Sequence, residues 1–174
     1  VENGDADGMI CGTFSYYHLH LKYVSRVIGK KEGVSDFYAM NAVLMQDRNI
    51  FIADTYIHED PTAEQLAEMT VLAADQLRRF SITPRVALVS HSNFGTSDRE
   101  SAVKMRRVYE LLTEMNVDFD FDGEMQGDAA LDEHIRANDL PSSNLKGSAN
   151  LLILPTLDSA NIAFNLLKTA TGSA

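Results

Sequence analysis

The 174-residue chain contains no tryptophan, four prolines, a single cysteine (Cys11) and no long hydrophobic run. With one cysteine no disulfide can form within the chain, and a reducing, cytoplasmic compartment is the simplest expectation. The apolar runs, such as Leu151–Leu154, fall far short of the roughly 20 residues that span a bilayer. No cationic segment followed by an apolar stretch marks a signal peptide at the start. We therefore expect no membrane partner.

Positive charge is also scarce, since 15 lysines and arginines face 25 aspartates and glutamates for a formal charge of −10. Such a surface repels phosphate backbones and anionic lipids at long range, so we expect no nucleic-acid partner. A small anionic ligand stays possible, because local dipoles and a few cations act at short range. The composition, 45% hydrophobic and 23% charged, is that of an ordinary globular domain.

Strand-like and helix-like segments alternate along the chain, which predicts an α/β fold with helices on both faces of a mostly parallel, partly mixed sheet. Strands are predicted at 37–45, 49–57, 86–89, 117–121 and 149–154. Helical spacing is found at 15–27, after Thr62, after Ser97, at 128–137 and at 156–169. Thr62 with Gln65, and Ser97 with Glu100, fit capping boxes at helix starts, and Met115 is placed on the inward face of the second of these helices.

The loop Ser90–Ser97 follows a buried strand and precedes a helix that carries Arg99, Lys104, Arg106 and Arg107. Ligands of open α/β sheets bind at such strand ends, where helix N-termini offer free N–H groups. The hydroxyls, the glycine and these cations suit a phosphate or a carboxylate. The alternative is that Ser and Thr merely cap the helix while Asn and Gly turn the loop.

A second junction, Pro155–Asn161, leads into a helix with Asp158, Asn161, Asn165 and Lys168 on one face. This polar stripe fits either the wall of a cleft or an ordinary solvated face. Glu124 and Gln126 follow the strand before them, and a carboxylate at a strand end can act as a base or a ligand anchor. A structural hydrogen-bonding role is the other interpretation.

Five stretches of this sequence resemble the phosphate acetyltransferase family, in the family's order. They are Gly4–Gly8, Asp60–Glu68, Ser90–Ser97, Asp122–Gln126 with Asp128–Ala130, and Ala149–Asn161. Three of these segments are similar in sequence to one variant of the family, the C-terminal phosphate acetyltransferase-like domain of bacterial NADP-dependent malic enzymes. They are Ser90–Gly95, Asn150–Pro155 and Leu157–Asn161.

The resemblance implies a phosphate acetyltransferase-like fold of the isocitrate/isopropylmalate dehydrogenase type, with two α/β lobes around a cleft, in a dimer or higher homo-oligomer. Residues 58–174 are then the second lobe, and residues 1–57 are an edge of the first lobe or an extension of the sheet. In the malic enzymes the domain is expected to bind acetyl-CoA as an allosteric signal and to help assemble the oligomer. Malate oxidation, NADP and a divalent metal are expected only in an N-terminal region of such a parent.

The sequence departs from the active transferases at three positions of the resemblance. They usually carry Lys at the position of Phe94, Asp at that of Thr156 and Gly at that of Ala160. Loss of a cation beside an anionic substrate removes charge stabilisation that is often worth a few kcal/mol. The catalytic Ser, Arg and Asp of the family's C-terminal segment also have no counterpart here, so we assign no catalytic residue.

Three hypotheses follow: an acetyl-CoA-binding regulatory and oligomerisation module of a malic enzyme, an active phosphate acetyltransferase present here in part, or a purely structural dimerisation lobe. The first two predict acetyl-CoA or acetyl phosphate as ligand, with no cofactor or metal resident in this stretch. The candidate ligand-binding residues are Ser90, Ser92, Asn93, Gly95, Thr96, Ser97, Glu124, Gln126, Asp158, Asn161 and Asn165.

Overall fold

The structure, a computed structural model, describes residues 1 and 3–173 and divides the chain into two compact units that meet in sequence between Phe37 and Tyr38. The first unit contains helix α1 (Tyr17–Val27), none of whose residues is buried. The apolar segment 9–11 forms no strand and is exposed.

The second unit is built on a five-stranded sheet with the order β1-β2-β5-β3-β4. The strands are β1 (Met40–Leu44), β2 (Asn49–Ala53), β3 (Arg85–Val89), β4 (Asp120–Met125) and β5 (Leu151–Ile153). β1 pairs antiparallel with β2, and the other pairings are parallel. The helices are α2 (Ala63–Arg79), α3 (Glu100–Glu114), α4 (Gly127–Leu131), α5 (Glu133–Asp139) and α6 (Leu157–Ala170). The predicted α/β fold with a mostly parallel, partly mixed sheet is confirmed.

Both faces of the sheet are covered, and this explains the unbroken apolar runs of its central strands. Along β5, Leu151 and Ile153 pack into the cluster beneath α2 and α3. Leu152 packs into the opposite cluster, with Ala160 and Phe164 of α6. Alternate side chains of one strand therefore serve two cores, and a polar residue on either face would be buried.

The capping box at α2 is confirmed, because the Thr62 hydroxyl accepts from the Gln65 amide at 3.2 Å and the Gln65 side chain accepts from the Thr62 amide at 2.9 Å. The box predicted at Ser97 is wrong. Helix α3 has Arg99 as N-cap without a side-chain cap bond. The Ser97 hydroxyl accepts from the Arg99 amide at 3.2 Å, two residues on, which turns the loop instead of capping the helix.

The strand predicted at 117–121 begins and ends later in the structure. Its ladder with β3 starts at the pair Arg85↔Asp120, because β3 itself begins at Arg85, and it continues to Met125.

Met115, expected on the inward face of α3, is 51% exposed. It lies beyond the last turn of α3, so helical periodicity no longer fixes its direction. The single helix predicted at 128–137 is two, divided at Asp132, which caps α5 by accepting from the amides of His134 and Ile135.

The hairpin β1–β2 belongs to the same sheet as the other strands, through the pairing of β2 with β5. The boundary between the two compact units lies before β1, between Phe37 and Tyr38. The lobe boundary at residue 57 stays a prediction. Whether the hairpin corresponds to a family lobe stays a prediction. Among the described helices, none has both the length and the apolar character needed to cross a membrane.

Candidate functional site

The loop between β3 and α3 is organised around the carboxylate of Glu124, which has no exposed surface. Glu124 Oε1 accepts from the Ser92 hydroxyl at 2.8 Å and from the Gly95 amide at 2.9 Å. It also accepts from Arg106 Nη1 of α3 at 3.0 Å. The end of β4 thus supplies a charge that holds the candidate loop and the following helix together.

The loop is closed further by its own hydroxyls. Thr96 Oγ1 lies 3.1 Å from the Ser92 hydroxyl and accepts from the Asn93 amide at 3.1 Å. The Ser97 hydroxyl lies 3.0 Å from His91 Nε2. Three of the six loop residues proposed as ligand contacts, Ser92, Asn93 and Thr96, are therefore hydrogen-bonded to one another.

Gln126 joins the same loop to the start of α4. Its amide donates to Asn93 Oδ1 at 2.7 Å, and its side chain donates to the His91 carbonyl at 3.2 Å. The Ser90 amide donates to the Met125 carbonyl at 2.8 Å. The structure therefore brings together seven of the proposed residues, because β3 and β4 are neighbours in the sheet. They are Ser90, Ser92, Asn93, Gly95, Thr96, Glu124 and Gln126.

Two glycines make this close arrangement possible. Gly95 has φ +87° and directs its amide at Glu124, a backbone conformation that other residues adopt only with strain. Gly123 has φ +145°, and a Cβ there would lie 2.6 Å from the Leu88 carbonyl oxygen. The register of β3 and β4 shifts between Leu88 and Val89, beside this contact.

The second junction makes contacts of a different kind. Thr156 caps α6 by accepting from the Ser159 amide at 3.3 Å. Asn161, half-buried, donates from Nδ2 to the Thr55 carbonyl at 3.1 Å. Asn165 donates to the Asn161 carbonyl at 3.0 Å and, like Asp158, is exposed. The polar stripe of α6 is therefore partly solvated and partly bonded to the loop after β2.

The two junctions leave neighbouring strands, since β3 and β5 are parallel and paired up to Leu88↔Ile153. Their hydrogen bonds diverge, with the first junction bonded to the end of β4 and the second to the loop after β2. Among the hydrogen bonds of residues 1 and 3–173, none connects the loop 90–99 to residues 155–161. That both junctions contact a single ligand stays a prediction.

Most of the four cations on α3 and its N-cap are paired with carboxylates of the chain itself. Lys104 pairs with Asp60, and Arg106 pairs with Glu124 and, at 3.4 Å, with Asp98. Arg107 lies 2.8 Å from Glu110 and 3.2 Å from Glu114, and these hydrogen bonds raise its pKa. Of the four cations, Arg99 alone forms no ion pair within the described residues. The positive charge expected to attract an anion is thus largely neutralised.

A cavity of about 360 Å³ lies against Glu124. Its lining includes Phe94 and Gly95 of the loop, Arg106 and Tyr109 of α3, and Asp122 of β4. Asp122 is buried and uses both oxygens, accepting from the Ser143 hydroxyl and the Asn144 amide at 2.7 Å and from the Gly123 amide at 2.9 Å.

Asp54 is a buried carboxylate at the end of β2 that the sequence interpretation missed. Asp54 Oδ1 accepts from the amides of Tyr56 and Ile57, and Oδ2 lies 2.8 Å from His58 Nδ1. The sequence prediction placed Asp54 inside a strand at 49–57, whereas β2 ends at Ala53. The strand-end signal that identified Glu124 therefore did not apply to it.

The whole chain, residues 1–174, matches the family described as phosphate acetyl/butaryl transferase. The chain belongs to this family. It is 52% identical over 171 residues to an NADP-dependent malic enzyme of Escherichia coli (strain K12), a match that covers 98% of this chain and 22% of the relative. It is 30% identical over 171 residues to a phosphate acetyltransferase of Synechocystis sp. (strain ATCC 27184 / PCC 6803 / Kazusa), covering 98% of this chain and 24% of that one.

The solved structure of a phosphotransacetylase from Streptococcus pyogenes superposes on this chain with a TM-score of 0.86 at 30% identity. The superposition covers 99% of this chain and 53% of that chain. The chain therefore spans about half of this solved relative and less than a quarter of the two sequence relatives. The resemblance drawn from the sequence motifs is confirmed.

Proposed function

We propose that this chain is the C-terminal phosphate acetyltransferase-like part of a malic enzyme, and that it serves as an acetyl-CoA-binding regulatory and oligomerisation module. The oxidative decarboxylation of malate to pyruvate, with NADP and a divalent metal, then belongs to the N-terminal region of that parent. The ligand approaches the carboxyl ends of β3 and β4, where the loop residues, Glu124 and Gln126 meet.

The observation that carries this proposal is the neutralised charge of the candidate site. Phe94 lines the cavity where the active transferases of the family usually carry Lys, and the guanidinium of the same lining, Arg106, is paired with Glu124. Transfer of an acetyl group to phosphate develops negative charge that fixed cations stabilise. Binding of a thioester without chemistry does not need that stabilisation. The closer sequence identity to a malic enzyme than to a phosphate acetyltransferase supports the same choice.

The test is a calorimetric titration of the full-length parent with acetyl-CoA, combined with malate turnover at each ligand concentration. We expect saturable binding and a change of turnover over the same range. If acetyl-CoA fails to bind, or binds and leaves turnover unchanged, the regulatory role is wrong and a purely structural lobe is favoured. A phosphate-dependent assay for acetyl phosphate should show no turnover, and clear turnover would favour the active transferase instead.

Assembly is tested separately by sedimentation velocity of the full-length parent with and without acetyl-CoA. We expect a homo-oligomer, dimeric or larger, that needs this part of the chain. Deleting residues 38–174 from the parent should reduce the number of subunits in the oligomer. An unchanged number of subunits would argue against an assembly role. Subcellular fractionation tests the proposed cytoplasmic location.

A further inference from the structure

Glu124 Oε2 is a buried carboxylate oxygen without a hydrogen-bond partner. Among residues 1 and 3–173, two buried side-chain polar atoms lack a partner, and the Ser90 hydroxyl is the other. All three donors around Glu124, on Ser92, Gly95 and Arg106, reach Oε1. Burying a charged acceptor unpaired is costly, so Oε2 needs a donor that none of the described residues supplies.

Glu124 also lines the cavity of about 360 Å³ described above. The other buried carboxylate of that lining, Asp122, has donors on both oxygens. Arg106 already donates to Glu124 and to the Ser97 carbonyl at 2.8 Å. Within this lining, Glu124 Oε2 is thus a buried acceptor that no donor of the described residues satisfies.

The charges of the lining decide which group that is. Glu110, Asp122 and Glu124 are acidic, and Arg106 is the one guanidinium in the lining. An incoming phosphate or carboxylate would meet an excess of negative charge at short range. An N–H donor without negative charge would instead complete the coordination of Oε2. Tyr109 and Phe94 add aromatic surface for the carbon atoms beside such a donor.

We propose that this cavity binds an N–H-bearing group that is uncharged or cationic, with Glu124 Oε2 as its acceptor. The assignment rests on the proposed function for the identity of the whole ligand. In acetyl-CoA the secondary amides of the pantetheine arm have this chemistry, whereas the phosphates do not, so the arm enters the cavity and the phosphates stay outside it. Because Glu124 has no exposed surface, part of the cavity lining moves when the donor reaches Oε2.

The first test is calorimetry of the full-length parent with acetyl-CoA, using Glu124→Gln and the control Glu114→Gln. Glutamine keeps one oxygen that accepts from Ser92 and Gly95. At the position of Oε2 it places an amide NH2 group, which donates hydrogen bonds instead of accepting them. We expect binding about tenfold weaker or more for Glu124→Gln, since a hydrogen bond to a charged acceptor is lost. Glu114 lies on α3 outside the cavity lining and pairs with Arg107 at the surface, so Glu114→Gln should bind as the wild type does. Circular dichroism and thermal melting establish that both variants are folded.

The second test uses only the wild-type parent, so it does not depend on the folding of a variant. S-acetyl-N-acetylcysteamine, which keeps one amide N–H and has no phosphate, is titrated beside its N-methyl analogue, which lacks the N–H. We expect the first probe to bind and to compete with acetyl-CoA, and the analogue to bind about tenfold more weakly or not at all.

The outcomes separate this inference from the proposed function. If acetyl-CoA binds the wild type and Glu124→Gln equally and the two probes bind alike, the cavity assignment is overturned while the regulatory module stands. If acetyl-CoA does not bind but S-acetyl-N-acetylcysteamine binds through its N–H, the cavity stands and the proposed ligand falls. Absence of binding by both acetyl-CoA and the probe overturns both.

Discussion

The main-chain amide of Gln126 donates to Asn93 Oδ1 at 2.7 Å, and this bond joins the β3–α3 loop to the N-cap of α4. Asn93 was singled out as a ligand contact, but the bond gives it a structural role as well. Asn93→Ala is expected to lower the free energy of unfolding by about 1 kcal/mol, measured by urea denaturation. Asn93→Asp keeps an oxygen acceptor and should retain most of that stability.

Acetyl-CoA affinity of the same two variants then separates the roles. If Asn93 contacts the ligand with its amide group, Asn93→Asp weakens binding while the protein stays as stable as the wild type. Wild-type affinity in Asn93→Asp would restrict Asn93 to the bond with Gln126.

Gly123 is predicted to be irreplaceable for steric reasons. Its φ of +145° and the 2.6 Å approach of a Cβ to the Leu88 carbonyl oxygen leave no room for alanine between β3 and β4. We expect Gly123→Ala to lower the free energy of unfolding by about 2 kcal/mol or more. Gly127→Ala is the matched control, since a Cβ there meets open space in the first turn of α4, and its stability should be unchanged or raised by up to about 1 kcal/mol. Equal effects of the two changes would contradict this account.

Arg136 is a buried guanidinium whose described hydrogen bonds all go to main-chain carbonyls. It donates to Ala129 at 2.8 Å and to Leu145 at 3.1 Å, and it also donates to Gly147. Arg136→Met would leave these carbonyls unpaired, and we expect a loss on the order of 3 kcal/mol in urea denaturation. Arg79→Met, at an exposed position of α2, should stay within about 0.5 kcal/mol of the wild type. A loss below 1 kcal/mol (roughly one ordinary hydrogen bond) for Arg136→Met would show that water replaces the guanidinium.

The ion pair of Arg78 and Asp118 predicts a pH dependence. The hydrogen bond from Arg78 lowers the pKa of Asp118 from its ordinary value of 3.8. A carboxylate with a lowered folded-state pKa contributes stability that is present above its unfolded pKa and lost as the pH falls through the folded one. Because Asp118 is largely exposed, the contribution is small and should weaken in high salt.

The measurement is an NMR titration of the Asp118 carboxyl below about pH 5, the range in which aspartates ordinarily titrate. Arg78→Gln removes the cation and is expected to return the pKa of Asp118 towards its ordinary value. Asp132 is the control. It accepts from main-chain amides of α5, which lower its pKa, and Arg78→Gln should leave that pKa unchanged. If the Asp118 pKa is the same in both proteins, the pair does not form in solution.

Long and strongly periodic elements were predictable from the sequence. The capping box at Thr62 and the apolar face of α2 were found because local hydrogen bonds and helical spacing are written in neighbouring residues. The buried run of β3 and the polar loop after it were found for the same reason. Strand limits were less predictable, since β4 begins where β3 offers a partner and not where the alternation of Phe119 and Phe121 begins.

The candidate site divides in the same way. The residue types at the strand ends, and the resemblance to phosphate acetyltransferases, could be taken from the sequence by itself. Only the tertiary structure decided that Glu124 is fully buried against Ser92, and that Asp60 and Glu124, both distant in the chain, pair with Lys104 and Arg106 of α3. The physical reason is that burial and charge pairing join residues distant in the chain, whereas caps, turns and periodicity join residues a few positions apart.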